Sequence, residues 1–465
     1  MPVPPLVLTH KLYHLFYILN INLDMDKPSS PLNNKSLLII FAYAPAGLGH
    51  LRVTDALYHG LLKDVETPLL LGSQDTTITY LHRLMSLNPI IRPISEWVEK
   101  GMAEDATTAL YRYLLRSKTD VLYNQLLTII SERYTPPSKI LAVATHFGLA
   151  HQMSAIKKQL EKEKNIEMKL VVQVTDDSPH HIWYVHDADL IVVPSEKTKE
   201  NLVKYGRQMK SEVPIVVNAY PISPNLNKNL SQEKITEKYD QVDPKKQTPL
   251  HVIIPVSGAA VGTEYFVKLM THLHQKSDRF VFHVVTKDAP FTRNFIMKIT
   301  DLPYVHLYTG AADRKVIENY EFVYKQNVIA LEITKPSEQS FKALMDCRKE
   351  SASILLFTEP VGRQEWDNLD FLRRHHLIPT RVEQSVLWRH NAREKAVKKA
   401  FKWRGICLPD DPIAAAEFIH WSLKSGIFAS MMRCEIKPHS EDEYKHELNP
   451  EGVKSFWEIV SGLFT

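Results

Sequence analysis

The chain has few cysteines: Cys347, Cys407 and Cys434 are scattered through 465 residues. Three isolated thiols offer no metal-ligand spacing and suggest a reducing compartment. Long apolar runs are missing as well. No stretch of about 18 uninterrupted apolar residues occurs, so no membrane-spanning helix is expected. Residues 6–23 are apolar and aromatic, but His10, Lys11 and His14 interrupt them. No basic region precedes that stretch and no small-residue cleavage site follows it. It reads as an amphipathic surface helix or a disordered extension rather than a secretion signal. Met25 is an alternative start, because the globular pattern begins near Lys35. A strong excess of one charge is also lacking. The net charge of +4 is too small to argue for nucleic acid.

What is present is an ordinary globular composition, 44% hydrophobic and 24% charged. The length exceeds what one core usually serves, so two or three domains are expected. Strand-like apolar runs alternate with helical patterns, which predicts an α/β protein with parallel sheets. The first half offers strands at 36–43, 68–71, 140–145, 169–175, 190–193 and 214–217. Residues 76–134 read as largely helical. A polar, lysine-rich linker follows Pro224, with room for one short helix. The second half offers strands at 250–256, 280–285, 304–308, 328–331 and 353–357. The two halves share one plan, as two Rossmann-like domains facing a cleft. Ligands of such sheets bind beyond the carboxyl ends of the strands.

The most informative segment is Leu37-Leu-Ile-Ile-Phe-Ala-Tyr-Ala-Pro-Ala-Gly-Leu-Gly-His50. An apolar strand breaks at Gly47 and Gly49, and His50 stands where a helix begins. Free backbone N–H groups at such a helix start receive an anion or a polar substrate. The third glycine of a dinucleotide fingerprint is missing, and no ribose-binding acid ends a second strand at the usual interval. A tight turn with a capping histidine is the plainer alternative. Four further clusters follow strand ends. Thr175-Asp-Asp-Ser-Pro-His-His-Ile-Trp183 crowds Asp176, Asp177, His180 and His181 into one loop; a capped turn would explain it too. Ser257, Gly258 and Gly262 could turn N–H groups to a phosphate. Lys335-Pro336 opens a helical pattern in which Glu338 and Lys342, four apart, would share a face. Gly362-Arg-Gln-Glu-Trp-Asp-Asn368 is dense in hydrogen-bonding side chains, with Arg363 suited to a phosphate and Gln364 and Glu365 to sugar hydroxyls. Ser195 reads as a helix cap.

Together and in this order, these clusters resemble GT-B glycosyltransferases, most of all the monogalactosyldiacylglycerol synthase and lipid-linked N-acetylglucosaminyltransferase group. Gly47-Leu-Gly-His50 resembles that group's glycine–histidine acceptor loop. Val174-Thr-Asp176 with His181 and Trp183 resembles its Val-Thr-Asp segment. Lys335-Pro336 resembles the start of its donor loop, and Gly362 to Asn368 its Gly-Gln-Glu…Asn motif. The resemblance covers residues 36–380. It implies an extension at 1–34, an acceptor-side domain at 35–224, a linker at 225–248, a nucleotide-sugar domain at 249–425 and a segment at 426–465 returning to the first domain. It implies an inverting, metal-independent transfer from a UDP-sugar to a lipid or other hydrophobic acceptor, with no cofactor. His50 is the implied general base and Asp176 the alternative base or orienting group. Gly47, Gly49, His181 and Trp183 fall on the acceptor side. Ser257, Gly258, Lys335, Glu338, Arg363, Gln364, Glu365 and Asn368 fall on the donor side. One departure stands out: the family's ribose-binding glutamate aligns with Lys342, which suggests that Glu338 takes over and Lys342 pairs with it or with a phosphate. A 2-epimerase of the same fold and a non-catalytic nucleotide-sugar binder remain as alternatives. The expected location is cytoplasmic. The basic, aromatic stretch 381–403 allows peripheral contact with an anionic membrane, a solvated helix face being the plainer choice.

Overall fold

The computed structural model describes residues 30–44, 48–61, 65–72, 101–117, 119–256, 258, 260–357, 360, 362–389, 398–434 and 446–465. The expectations for residues 1–29 and 76–100 lie outside these.

Two six-stranded sheets form the molecule, the α/β plan of two Rossmann-like parallel sheets expected from the sequence. In the first, β1 (Leu37–Tyr43), β2 (Leu69–Gly72), β3 (Lys139–Ala144), β4 (Glu167–Gln173), β5 (Leu190–Val193) and β6 (Ile215–Val217) lie in the order β2-β1-β3-β4-β5-β6. In the second, β7 (Leu250–Pro255), β8 (Phe280–Lys287), β9 (Val305–Gly310), β10 (Leu331–Thr334), β11 (Ser353–Leu356) and β12 (Gly405–Cys407) lie in the order β12-β11-β10-β7-β8-β9. Every strand pair is parallel. Parallel sheets need helices on both faces, so their strands carry apolar residues without alternation. Leu190-Ile-Val-Val193 is buried throughout for this reason.

Helices return the chain between strands. They are α1 (Leu48–His59), α2 (Gly101–Ser117), α3 (Asp120–Ser131), α4 (Phe147–Lys164), α5 (Glu196–Gln208), α6 (Gln232–Val242), α7 (Thr263–Lys276), α8 (Arg293–Ile299), α9 (Asp313–Gln326), α10 (Gly362–Arg374), α11 (Arg381–Trp388), α12 (Pro412–Lys424), α13 (Ile427–Met431) and α14 (Gly452–Ser461). The helix allowed for in the linker is α6. Ser195 caps α5 by accepting from the Thr198 amide at 3.1 Å, as its sequence context suggests. Residues 381–403 do not form one helix among the described residues: α11 is separate from a 3-10 turn at Ala400–Lys402.

In each sheet the strand order reverses once, between β1 and β3 and between β7 and β10. Such reversals open a crevice at the carboxyl ends of the strands. The two sheets point these ends at each other. A single apolar cluster runs through both, joining Phe41 and Val143 to Ile253, Phe341 and Phe371. Phe456, Trp457 and Val460 of α14 belong to it too, packed back on the first sheet.

Candidate functional site

One wall of the cleft is built at the reversal between β1 and β3. His50 lies in the first turn of α1, and its Nδ1 is 2.7 Å from the Thr145 carbonyl at the end of β3. A carbonyl oxygen only accepts, so Nδ1 carries the hydrogen, and Nε2 is the nitrogen that holds the lone pair whenever the ring is neutral. Thr54 holds the turn by donating to the His50 carbonyl at 2.8 Å and meeting the Thr145 hydroxyl at 2.7 Å. Trp183 is buried beside His50, ring centres 6.2 Å apart, and packs edge-on against Phe147. His146 stands edge-on to His50 at 5.1 Å. Burial, with the His50 charge second, drives the His146 pKa well below the usual histidine range, so it packs as a neutral ring. Gly47 lies outside the described residues.

Asp176 follows β4 and sits next to this wall. Burial raises its pKa to about 7; the Asn368 and Thr175 hydrogen bonds oppose the rise, and the carboxylates of Glu338 and Glu365 add to it. Asn368 on α10 donates to Asp176 Oδ1 at 3.0 Å, while its Oδ1 accepts from the Asp177 amide at 2.9 Å. One amide thus joins the two halves of the molecule. Thr175 Oγ1 lies 3.3 Å from His50 Nδ1 and donates to Asp176 Oδ2 at 3.4 Å. Asp177 has a structural role. It is fully buried, accepts from Ser195 and Thr198, and pairs with Arg374 of α10 at 2.8 Å.

The opposite wall brings charges that are already matched. Glu338 pairs with Arg52 of α1 at 2.6 Å. Burial would raise the Glu338 pKa, but Arg52 and the Ser337 hydrogen bond outweigh it, and the pKa is lowered. Gly49 makes this contact possible: a Cβ there would lie 2.9 Å from Glu338 Cδ. Lys335 pairs with Glu365, both largely buried. Arg363 reaches across to Glu104 of α2 at 3.0 Å. Burial alone would raise the Glu104 pKa. The His180 side chain and His181 amide, with the His181 and Arg363 charges, hold it at about 2 instead.

The expected partnership of Glu338 and Lys342 is not found. Residues 338–344 form a 3-10 helix, whose three residues per turn carry positions four apart to different sides. Lys342 turns inward to Glu332 on β10, to the Tyr320 hydroxyl and to Gln339 Oε1 at 3.1 Å. Glu332 is fully buried, and a buried carboxylate requires a countercharge. Burial lowers the Lys342 pKa to about 8, against the Glu332 charge.

Beyond β7 the backbone turns sharply. Ala260 and Gly262 have φ of 55° and 84°, and a Cβ at Gly262 would lie 2.5 Å from the Phe357 ring. Gly258 is half-buried there, and Ser257 lies outside the described residues. His181 stands apart from His50, stacked on Tyr205 at 4.0 Å and bonded to Asp105 at 2.7 Å. Gln364 is exposed on α10. Arg52, Thr145 and Glu104 were not expected in the site, and Thr175 was noted only as part of its loop. Thr145 ends a predicted strand and His146 follows it, as the other site loops follow theirs, and both could have been found by that rule. Among the described residues, no group of three His, Cys, Asp or Glu side chains could hold a metal ion.

No family model matches the chain, and no curated protein sequence matches it. Solved structures do. The S. aureus MnaA structure with UDP is 11% identical over 91% of this chain and 94% of its own, with a TM-score of 0.44. The Neisseria meningitidis UDP-GlcNAc 2-epimerase bound to UDP-GlcNAc is 12% identical over 92% and 100%, at 0.41. Arabidopsis thaliana UGT89C1 with UDP is 11% identical over 92% and 99%, at 0.44.

Proposed function

We propose that the protein transfers a sugar from a nucleotide sugar, UDP-linked, to the hydroxyl of a hydrophobic acceptor. The observation that carries this is the His50–Thr145 contact. It leaves Nε2 as the basic nitrogen on a residue at the head of α1, beside Asp176. The acceptor hydroxyl gives its proton to Nε2 as its oxygen attacks the anomeric carbon from the face opposite the leaving diphosphate. Asp176 orients the acceptor and, as a carboxylate, supports the positive charge that grows on His50. The charge that grows on the departing diphosphate meets the loop after β7, the start of α7 and Lys335. Lys335 reaches it by leaving Glu365, which then holds a donor-sugar hydroxyl.

The carboxylates of Asp176, Glu338 and Glu365 lie near enough to influence one another, and they support a second reading. In a nucleotide-sugar 2-epimerase, carboxylates would move protons on the donor sugar itself. Such an enzyme needs no second substrate. Screening UDP-, GDP- and dTDP-sugars for thermal stabilisation identifies the donor, because a ligand that binds only the folded state raises its melting temperature. UDP release is then followed with and without lipid extract. Release that requires the extract supports transfer. Inverted sugar without extract supports epimerisation and removes transfer.

A further inference from the structure

A surface outside the cleft has no role in this chemistry. It is formed by α10, α11 and the 3-10 turn at Ala400–Lys402. Val382 and Val386, four apart on α11, are 73% and 41% exposed and share a solvent face. Trp366 on α10 is 41% exposed, with the Arg381 guanidinium 5.5 Å from its ring centre. Trp388 and Phe401 add exposures of 43% and 50%. Lys399 bonds to Glu383 at 3.0 Å, which brings the 3-10 turn alongside α11. These contacts set the three segments side by side, so that their exposed apolar side chains lie on neighbouring parts of one surface; exposed apolar area gathered in this way marks an interaction site.

Its charge is mainly basic. Arg381, Arg389, Lys398, Lys399 and Lys402 are all exposed; of the acids on these segments, Glu383 is matched by Lys399 and Asp370 of α10 by Lys197. We propose that this surface docks the protein on an anionic lipid bilayer. Nucleic acid would share the attraction to the basic rim, but its bases stack on flat rings, and the most exposed apolar group here is the branched aliphatic Val382. Valine and tryptophan side chains instead enter the boundary between headgroups and acyl chains, while arginine and lysine reach lipid phosphates on flexible stems. Among the described residues no helix is long and apolar enough to cross a membrane, so contact is made from the surface. Trp366 shares α10 with Asn368, which touches Asp176, so the docked face lies beside the cleft. Delivery of a lipid-borne acceptor to His50 rests on the transfer proposed above; docking does not.

The full chain is sedimented with vesicles of phosphatidylcholine alone and of phosphatidylcholine with phosphatidylglycerol, at low and at physiological salt. The expected result is pelleting with the anionic vesicles only, weakened by salt. Each basic charge lost should weaken binding about fivefold. Arg389→Glu with Lys402→Glu should therefore cost well over tenfold, and Val382→Asp should reduce pelleting without changing the melting temperature. Equal pelleting with neutral vesicles, or unchanged pelleting of both variants, overturns the proposal. So does tight binding of duplex DNA that Val382→Asp leaves intact while vesicles fail to bind. No turnover enters the readout, so failure of the proposed transfer reaction and failure of docking are told apart.

Discussion

At position 50 one hydrogen bond decides which nitrogen can take a proton. With Nδ1 tied to Thr145, removal of the ring removes the proposed base without touching the opposite wall. His50→Ala is expected to lower turnover by about 10²–10⁴-fold and to leave donor affinity nearly unchanged. Turnover that survives within a few-fold would move the role to Asp176. The Asp176 pKa, raised from 3.8 to about 7, also has a consequence for stability. Between these values the folded state holds a proton that the unfolded chain has released, so stability falls as pH rises through that window. Asp176→Asn keeps the shape and removes the titration. Its melting temperature should lose the wild-type fall between about pH 4 and pH 7 and exceed the wild type at pH 8. An identical pH profile in the two proteins would rule out a raised Asp176. The placement of His50 and Asp176 beyond strand ends was legible in the sequence because each follows an apolar run. Arg52 and Glu338 were not. Each looks like an ordinary helix residue, and only the docking of α1 on the opposite wall makes them partners.

Among the elements, the strands were read well for a physical reason. Sheets covered on both faces demand unbroken apolar runs, and every strand predicted in the first half overlaps an observed one. β12 was missed because Gly405-Ile-Cys407 is too short to carry a pattern. The 3-10 helix at 338–344 was read as an α-helix because a short polar segment fits either period; the demand of buried Glu332 for Lys342 is a tertiary fact. Two elements lend themselves to measurement. At Gly262, φ of 84° and the Phe357 ring both exclude a side chain. Gly262→Ala should cost about 1–3 kcal/mol in urea unfolding, and a neutral substitution would mean that the loop after β7 is looser than its backbone implies. At α10, Asn368→Ala leaves the Asp177 amide buried without its acceptor. That loss is worth about 1–3 kcal/mol. The Arg374–Asp177 and Arg363–Glu104 pairs still hold α10 to the first half, so the radius of gyration from solution scattering should stay constant; an increase would make Asn368 the main tie between the halves.

At the scale of the whole molecule, the two-sheet plan was foreseeable because the same strand–loop–helix grammar occurs on both sides of the 225–248 linker. The tight matching of charges across the cleft was not, since it depends on which side chains meet when the halves close: Arg52 with Glu338, Arg363 with Glu104, Arg374 with Asp177. The return of α14 is the feature with the longest reach along the chain. The Trp457 indole donates to the Leu57 carbonyl at 2.9 Å, across 400 positions, and Gly452 lies so close to Ala219 that a Cβ would meet its carbonyl oxygen at 2.4 Å. Phe41 and Leu57 therefore receive their last neighbours from residues made at the far end of the chain. On a ribosome, the first sheet can have all six strands and still lack the side chains that seal its α1 face. A released chain truncated before Gly452 should be cut readily by protease near α1, and one that includes α14 should be protected. The first half to be synthesised is thus among the last to be finished.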